Sequence, residues 1–396
     1  MSLAGYACFM RRVGVVVAVF IVATVLIIAG LIVAMSNGSS QKVGFDSSDL
    51  KAPTISYVPY SNGSVPTPYL LTKPSYDVTM AWEITADIYA GYGGVLNLTV
   101  RNTNPTGKIL VYAFGLEWKG GAAYERNCSV TISHGSEAEL GLLIFGAPTA
   151  SNAEYRLFLR LAASNPTGTG WYDIGVLPQD DWNSVTIQPL SSAVDYSVSE
   201  NLAPYYNRVN ERVGYSAVQS VVSVIKAKYP GNYSVLQIAA AYEWEIRNIA
   251  YKLDSSGDYW QSASETLELR TGDCEDHAIL IASIIGGLGG NARVNVIQDH
   301  AFPTVFVATN AADLAKVKVA LASFYGVDVS SFKMAYLHDE VGYWLVIDTT
   351  GFPYAGGIPA KSAPTSANGN WTVLSNYIYT IDATGATVSG GFLGIL

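Results

Sequence analysis

Cys274 stands in the run GDCEDHA, at a glycine turn that opens the apolar segment CEDHAILIASIIGG. A thiol at the first turn of a helix feels the positive end of the macrodipole. That field favours the nucleophilic thiolate over an ordinary thiol of pKa ~8.5. Asp273 is placed to cap the helix, and Asp276, three residues on, completes a capping-box pattern. The acidic neighbours Glu275 and Asp276 oppose ionisation, so the helix alone does not activate Cys274 and a histidine partner is required. Three histidines lie downstream. His277 is one turn along the same helix, with its side chain directed along the helix rather than across a cleft. His338 lies in the polar stretch LHDEVG. His300 begins a strand-like run, DHAFPTVFV. A helix-start cysteine facing a strand-start histidine is the arrangement a thiolate–imidazolium pair needs. Asp348 ends the run YWLVID on the face of Val346 and Trp344. A carboxylate there can fix the imidazole tautomer and stabilise its cation.

Other polar residues near Cys274 have weaker claims. Trp260 and Gln261 precede it by little more than a dozen residues. Either is placed to lend a donor to an oxyanion hole beside the Cys274 N–H, although such a tryptophan more often only packs. Asp273, Glu275 and Asp276 read as helix caps or as oxygen ligands for calcium, but no loop of the form D-x-D-x-D-G is present. Cys274, His277 and His300 have zinc-ligand chemistry with only one cysteine among them, which leaves no metal or other cofactor as the expectation. The plainest alternative is that Cys274 is simply a small apolar residue opening a buried helix.

The surrounding periodicities say what holds these residues. From about residue 204 the pattern is helical. Val218, Val221, Val222 and Ile225 form one stripe, closed by Tyr229-Pro230-Gly231. Ile238, Tyr242, Ile246 and Ile249 form another over about 234–251. The Cys274 helix is apolar almost all round and should be buried. Strand-like runs follow at 293–297, 304–308 and 343–347, with a helical insert, AADLAKVKVALASFYG, between the last two. Helices first and strands after is an α+β pattern. Residues 77–195 have a period of two instead. Leu96, Leu98 and Val100 alternate with Asn97, Thr99 and Arg101, and Tyr155, Leu157, Leu159 and Leu161 make a similar stripe. Turns at 91–94, 102–107, 119–121 and 146–152 separate the runs, as in an antiparallel β-sandwich of the Ig or FN3 kind. His134 there is a lone surface residue, and Asn97 should face solvent.

The chain has 396 residues, 14% of them charged, and a net charge of -9, with no basic run able to neutralise a nucleic-acid backbone. Residues 13–35 are uncharged and apolar, long enough to cross a ~30 Å hydrocarbon core as an uncleaved signal anchor. Arg11 and Arg12 before the span keep a cytosolic stub (1–12) inside and send the rest outside. Sequons at Asn37, Asn62, Asn97, Asn127, Asn232 and Asn370 all fall on that outer side. Residues 36–76, rich in Ser, Gly, Pro and Tyr, read as an extended stalk. Residues 360–396 read as a Gly-, Ser- and Thr-rich tail with one strand near 376–381. Of three cysteines, Cys8 is cytosolic, and Cys128 and Cys274 are expected to stay unpaired.

GDCEDHAIL, then DHAFPTVFV, then YWLVIDTT resembles the transglutaminase-like superfamily, over about Tyr205 to Pro359 and including Tyr259, Trp260 and 265–267 upstream. The likeness is to membrane-anchored archaeal members and, more distantly, to bacterial transglutaminase-like cysteine proteinases. It implies a papain/transglutaminase-like core over 204–359, a Cys274–His300–Asp348 triad and acyl transfer through a thioester. The acyl donor is then a protein or peptide at the cell surface, with amide hydrolysis favoured over crosslinking. The helical insert lengthens the His-to-Asp interval, and Phe302-Pro303 follows HA, both departures from the family pattern. The rival expectation is a silent surface scaffold that binds without turnover. A silent site should show Cys274 with an ordinary or raised pKa.

Overall fold

The computed structural model describes residues 44–388, apart from 60–62, 203 and 256. Its first half holds strands β1 (Val78–Ile84), β2 (Gly94–Asn102), β3 (Ile109–Trp118), β4 (Ala123–Ile132), β5 (Glu137–Phe145), β6 (Asn152–Ser164), β7 (Trp171–Pro178) and β8 (Asn183–Thr186). β1, β2 and β5 form one antiparallel sheet; β4, β3, β6 and β7 form the other, with β8 paired to β6. The two sheets share one core. Leu96, Leu98 and Val100 of β2 meet Leu157, Leu159 and Leu161 of β6 there, all fully buried with Phe114, Leu116 and Trp118. The period of two puts every second side chain on that inner face, and each buried Leu or Val stabilises the sandwich by roughly 1.5–3 kcal/mol.

The second half is helical and then mixed. β9 (Ser197–Glu200) precedes α1 (Tyr205–Asn210), α2 (Gln219–Lys228), α3 (Val235–Asn248), β10 (Ala250–Tyr251), α4 (Ala263–Leu269), β11 (Thr271–Gly272) and α5 (Cys274–Leu288). Then come β12 (Ala292–Ile297), β13 (His300–Ala308), α6 (Ala311–Tyr325), β14 (Tyr336–Asp339), β15 (Gly342–Val346), β16 (Ser362–Pro364), β17 (Trp371–Val373) and β18 (Tyr377–Asp382). The main sheet has the order β14-β15-β13-β12-β18-β9 and is antiparallel except for β18 and β9. α5 lies against β12 and β13 with Ala278–Ile285 buried, as an all-round apolar helix must be. The helical insert is α6, capped by the Asn310 side chain and ended by Gly326 at φ +63°. The chain is thus mixed α+β, sheets first and helices with a mixed sheet after.

Several expectations change on folding. Residues 44–76 do not stand off as a stalk. Phe45 N–H donates to Asp382 Oδ2 at 2.9 Å, Thr54 pairs with Tyr233 and Val235, Val58 N–H donates to Ser323, and Leu70 N–H donates to Trp171 O at 2.7 Å. An aperiodic extended segment still carries backbone donors, and these are satisfied on elements far along the chain. The C-terminal run is no loose tail either, since β18 sits inside the sheet between β12 and β9. Strand near 376–381 was legible; its central place was not. In α3, Ile238 and Tyr242 are buried as expected, but Ile246 is 39% exposed and Glu245 is 0% exposed in its stead. Ile246 faces a cleft shared with Asn97 and Glu139 of the sandwich. Asn97 is therefore no free solvent-facing acceptor: its amide donates to Glu139 Oε1 at 2.8 Å and its own carbonyl is buried. Asn127, Asn232 and Asn370 are exposed, whereas Asn37, Asn62, Cys8, Arg11, Arg12 and the 13–35 span lie outside the described residues. Among the described residues no helix is long and apolar enough to cross a membrane.

Candidate active site

Local chemistry fixes the start of α5. A Cβ added to Gly272 would sit 2.6 Å from the Asp276 Cβ, so glycine alone lets the chain enter the helix this closely. Asp276 Oδ2 accepts the Asp273 N–H at 3.2 Å, the reaching-back half of the expected capping box, and Oδ1 accepts the Gln261 N–H at 2.6 Å. One carboxylate therefore ties the Cys274 turn to the segment before α4. Burial raises that carboxyl to about 6, partly offset by the Gln261 N–H.

His300 is delivered by a tight hairpin. Ile297 pairs with His300, and the connecting residue Asp299 takes φ +56°, a left-handed position that aspartate tolerates. Asp348 lies two residues beyond β15, where Ile347 N–H still pairs with Pro303 O at 3.1 Å. Its carboxylate is fully engaged. Oδ1 accepts Thr350 N–H at 2.9 Å and Thr350 Oγ1 at 2.8 Å; Oδ2 accepts Ala360 N–H at 2.9 Å and meets His300 Nε2 at 2.7 Å. Burial alone would raise the Asp348 carboxyl, but the His300 charge and these hydrogen bonds hold it below the usual range. An ionised Asp348 accepts a proton bond from Nε2, which leaves Nδ1 as the basic nitrogen of the ring.

Cys274 is half-buried at the first residue of α5, and α5 packs against β13, the strand that His300 opens. The thiol itself bonds Glu275 Oε2 at 3.1 Å rather than His300. Burial, followed by the charge and hydrogen bond of Glu275, pushes the thiol well above its ordinary value, and the Ala301 N–H works in the opposite direction. Burial likewise raises the Glu275 carboxyl to about 8. Near neutral pH Glu275 is therefore mostly protonated, and it ionises at lower pH than the thiol beside it. Glu275→Gln removes the negative charge that grows beside the sulfur as pH rises. The expected result is an alkylation-rate profile for Cys274 whose midpoint moves down by about one pH unit. An unchanged or higher midpoint would mean that Glu275 does not restrain the thiol.

The remaining candidates separate clearly. Trp260 donates its ring N–H to Asp258 Oδ1 at 2.9 Å, and the Arg208 guanidinium covers its ring at 4.2 Å, so the side chain is not free to serve an oxyanion. Gln261 is buried, its Oε1 lacks a partner, and its side-chain amide makes no hydrogen bond among the described residues. His338 is exposed and stacks on Tyr343 at 4.3 Å, and His134 is exposed with Nδ1 2.6 Å from Asn104 O. His277 does not point away along the helix: it is buried, with Nδ1 2.9 Å from Glu245 Oε1 and 3.1 Å from Thr349 Oγ1. Cys128 and Cys274 are both free; Cys128 sits in the sandwich core, its thiol donating to Val111 O at 3.3 Å. Of the acidic trio, Asp276 has both oxygens engaged by backbone donors. Among the described residues no group of three or more His, Cys, Asp or Glu side chains is arranged to hold a metal ion. Sequence reasoning missed Glu245, Thr349, Thr350 and Ala360. Only the two threonines left a trace, in the run IDTT that ends the strand.

No protein-family model and no curated protein matches this chain. Solved structures give distant likenesses. A candidate protease from Parabacteroides distasonis is 10% identical, covering 59% of this chain and 65% of its own, with a TM-score of 0.22. The Escherichia coli alpha-2-macroglobulin, from domain MG7 to its C-terminus, is 10% identical over 62% of this chain and 42% of its own, at 0.21. A protein from Archaeoglobus fulgidus is 14% identical over 29% of this chain and 98% of its own, at 0.18. At such scores none of these carries an argument about fold or activity.

Proposed function

We propose that the chain is a transglutaminase-like thiol acyl-transfer enzyme, anchored in a membrane by residues 13–35 and acting on amide bonds of proteins outside it. The observation that carries this reading is the buried His300–Asp348 pair at 2.7 Å, on a strand against which the helix that Cys274 opens is packed. The thiol is protonated at rest, so the nucleophile is made in the substrate complex. Cys274 Sγ attacks the amide carbonyl as its proton passes to His300 Nδ1. Asp348 stabilises the imidazolium through Nε2. The tetrahedral oxyanion is held by backbone N–H groups and by the Gln261 side-chain amide, since the Trp260 ring N–H is engaged. Collapse breaks the C–N bond, and His300 returns the proton to the leaving amine. A water or an amine, deprotonated by His300, then attacks the thioester and releases the Cys274 thiol. Water gives hydrolysis, which the resemblance to cysteine proteinases favours; an amine gives a crosslink.

A second reading has its own support. The raised thiol and its bond to Glu275 are what a silent scaffold would show. Iodoacetamide alkylation of Cys274 on the full chain, with Cys8 and Cys128 changed to Ser, separates the two. The expected result is a rate at pH 7 that falls about 10²-fold in His300→Ala, the scale of a positioned general base. A slow rate indifferent to His300 would leave the scaffold as the function.

A further inference from the structure

Behind the candidate triad lies a second acid–imidazole pair. Glu245 of α3 is wholly buried, and among the described residues its carboxylate meets no polar partner besides His277 of α5, whose Nδ1 lies 2.9 Å from Oε1. The same Nδ1 lies 3.1 Å from Thr349 Oγ1, and the far nitrogen, Nε2, is buried without a partner. Tyr251 of β10 faces the His277 ring at 6.1 Å. Thr349 is the residue after Asp348. Taking a carboxylate out of water costs several kcal/mol, and one off-line imidazole contact is weak repayment, so packing alone does not explain Glu245. What the pair does reach is the turn 348–351, which has no regular element to hold it. α5 thus touches both ends of the site: Cys274 at its first residue and the Asp348 turn through His277, one helical turn later.

We propose that Glu245 and His277 are positioning residues: Glu245 holds the His277 ring, and His277 holds Thr349 so that the Asp348 carboxylate stays aligned on His300. The proposal rests on the acyl-transfer reading for its purpose, but its geometry can be tested separately. The groups facing His277 are Glu245 from α3, Asp276 from α5, Asp348 from the turn after β15 and the Tyr251 ring from β10. Burial would lower the His277 pKa, but the hydrogen bond and charge of Glu245, with Asp348 and Asp276 behind it, raise it above its ordinary value.

The test is proton NMR of the full chain in detergent, reading the downfield, exchange-protected imidazole N–H that a His300 Nε2–H···Asp348 bond produces, assigned by its loss in His300→Ala. The expected result is loss or at least tenfold faster exchange of that proton in Thr349→Val and in Glu245→Gln, with Thr349→Ser restoring it. The Val and Ser pair keeps the test decisive even if a change at His277 or Glu245 prevents folding. An unaltered proton in Thr349→Val would overturn the proposal, and so would its absence from the wild type, since there would be no bond to align. Failure of the acyl-transfer reading looks different: the proton behaves as expected while Cys274 alkylation stays slow and indifferent to His300.

Discussion

Asp348→Asn should cut the pH 7 rate of Cys274 alkylation by about 10²-fold or more while leaving the chain folded. The carboxylate accepts from four donors: Thr350 N–H, Thr350 Oγ1, Ala360 N–H and His300 Nε2. An amide keeps one accepting oxygen and turns the other position into a donor. If the oxygen stays on the Thr350 side, the new NH₂ faces His300 and rewards the tautomer with an unprotonated Nε2. The proton then sits on Nδ1, where the thiol needs a base, and the imidazolium loses its counter-charge. The fold should survive because Asn matches Asp in shape and the turn keeps its Thr350 contacts. The measurement is alkylation rate against pH, with circular dichroism and thermal unfolding as the control. A rate within twofold of wild type in a folded protein would remove Asp348 from the site.

Arg293→Ala should destabilise the main sheet by about 3–5 kcal/mol. Arg293 is buried on β12 between two carboxylates, with Nε 2.6 Å from Asp382 Oδ1 and a further bond to Asp339 Oδ2. Its guanidinium lies 3.7 Å from the Trp344 ring centroid, and Trp344 Nε1 donates to Asp339 Oδ2 at 3.0 Å. Asp382 in turn receives Phe45 N–H at 2.9 Å and Asn201 Nδ2 at 3.1 Å. The network therefore joins β12, β18, β14, β15 and the N-terminal segment around one cation. Alanine leaves Asp382 and Asp339 without their cation and also opens a cavity beside Trp344. Lysine, a point charge on a flexible stem, should recover only part of the loss because it cannot fork to two acids or stack flat on indole. Urea unfolding should show a lower midpoint at an unchanged slope. A loss under about 1 kcal/mol for Arg293→Ala would mean that the charges are solvated in a way their burial does not suggest.

Much of this molecule is legible from patterns of near neighbours. The β2 and β6 stripes, the α2 stripe, the buried α5 and the helical insert follow from periods of two and of 3.6. They hold because burial of an apolar face dominates local energetics. The order Cys274, His300, Asp348 is likewise written in local runs, each at the start or end of an element. α3 shows where such reading stops. The apolar spacing Ile238, Tyr242, Ile246, Ile249 puts Ile246 on the buried face, whereas the fold exposes Ile246 and buries Glu245 beside it. The neighbour of that buried carboxyl is a histidine brought in from α5, and no spacing within α3 announces it.

The sequence by itself determined the α+β character and the longer strands and helices, but not the short helix Ala263–Leu269 or the strands Ser362–Pro364 and Trp371–Val373. Those properties depend on side-chain periodicity, turn chemistry and helix ends, which are interactions over a few residues. The tertiary structure decided what depends on distant partners. It placed β18 in the middle of the sheet and laid residues 44–76 along elements as far away as Asp382. It engaged the Trp260 N–H with Asp258 and turned the Cys274 thiol to Glu275. It also joined Glu245 to His277 and His277 to Thr349. Backbone donors and buried charges must be satisfied by whatever the fold brings near, and that choice is made by packing across the whole chain rather than by any local run of residues.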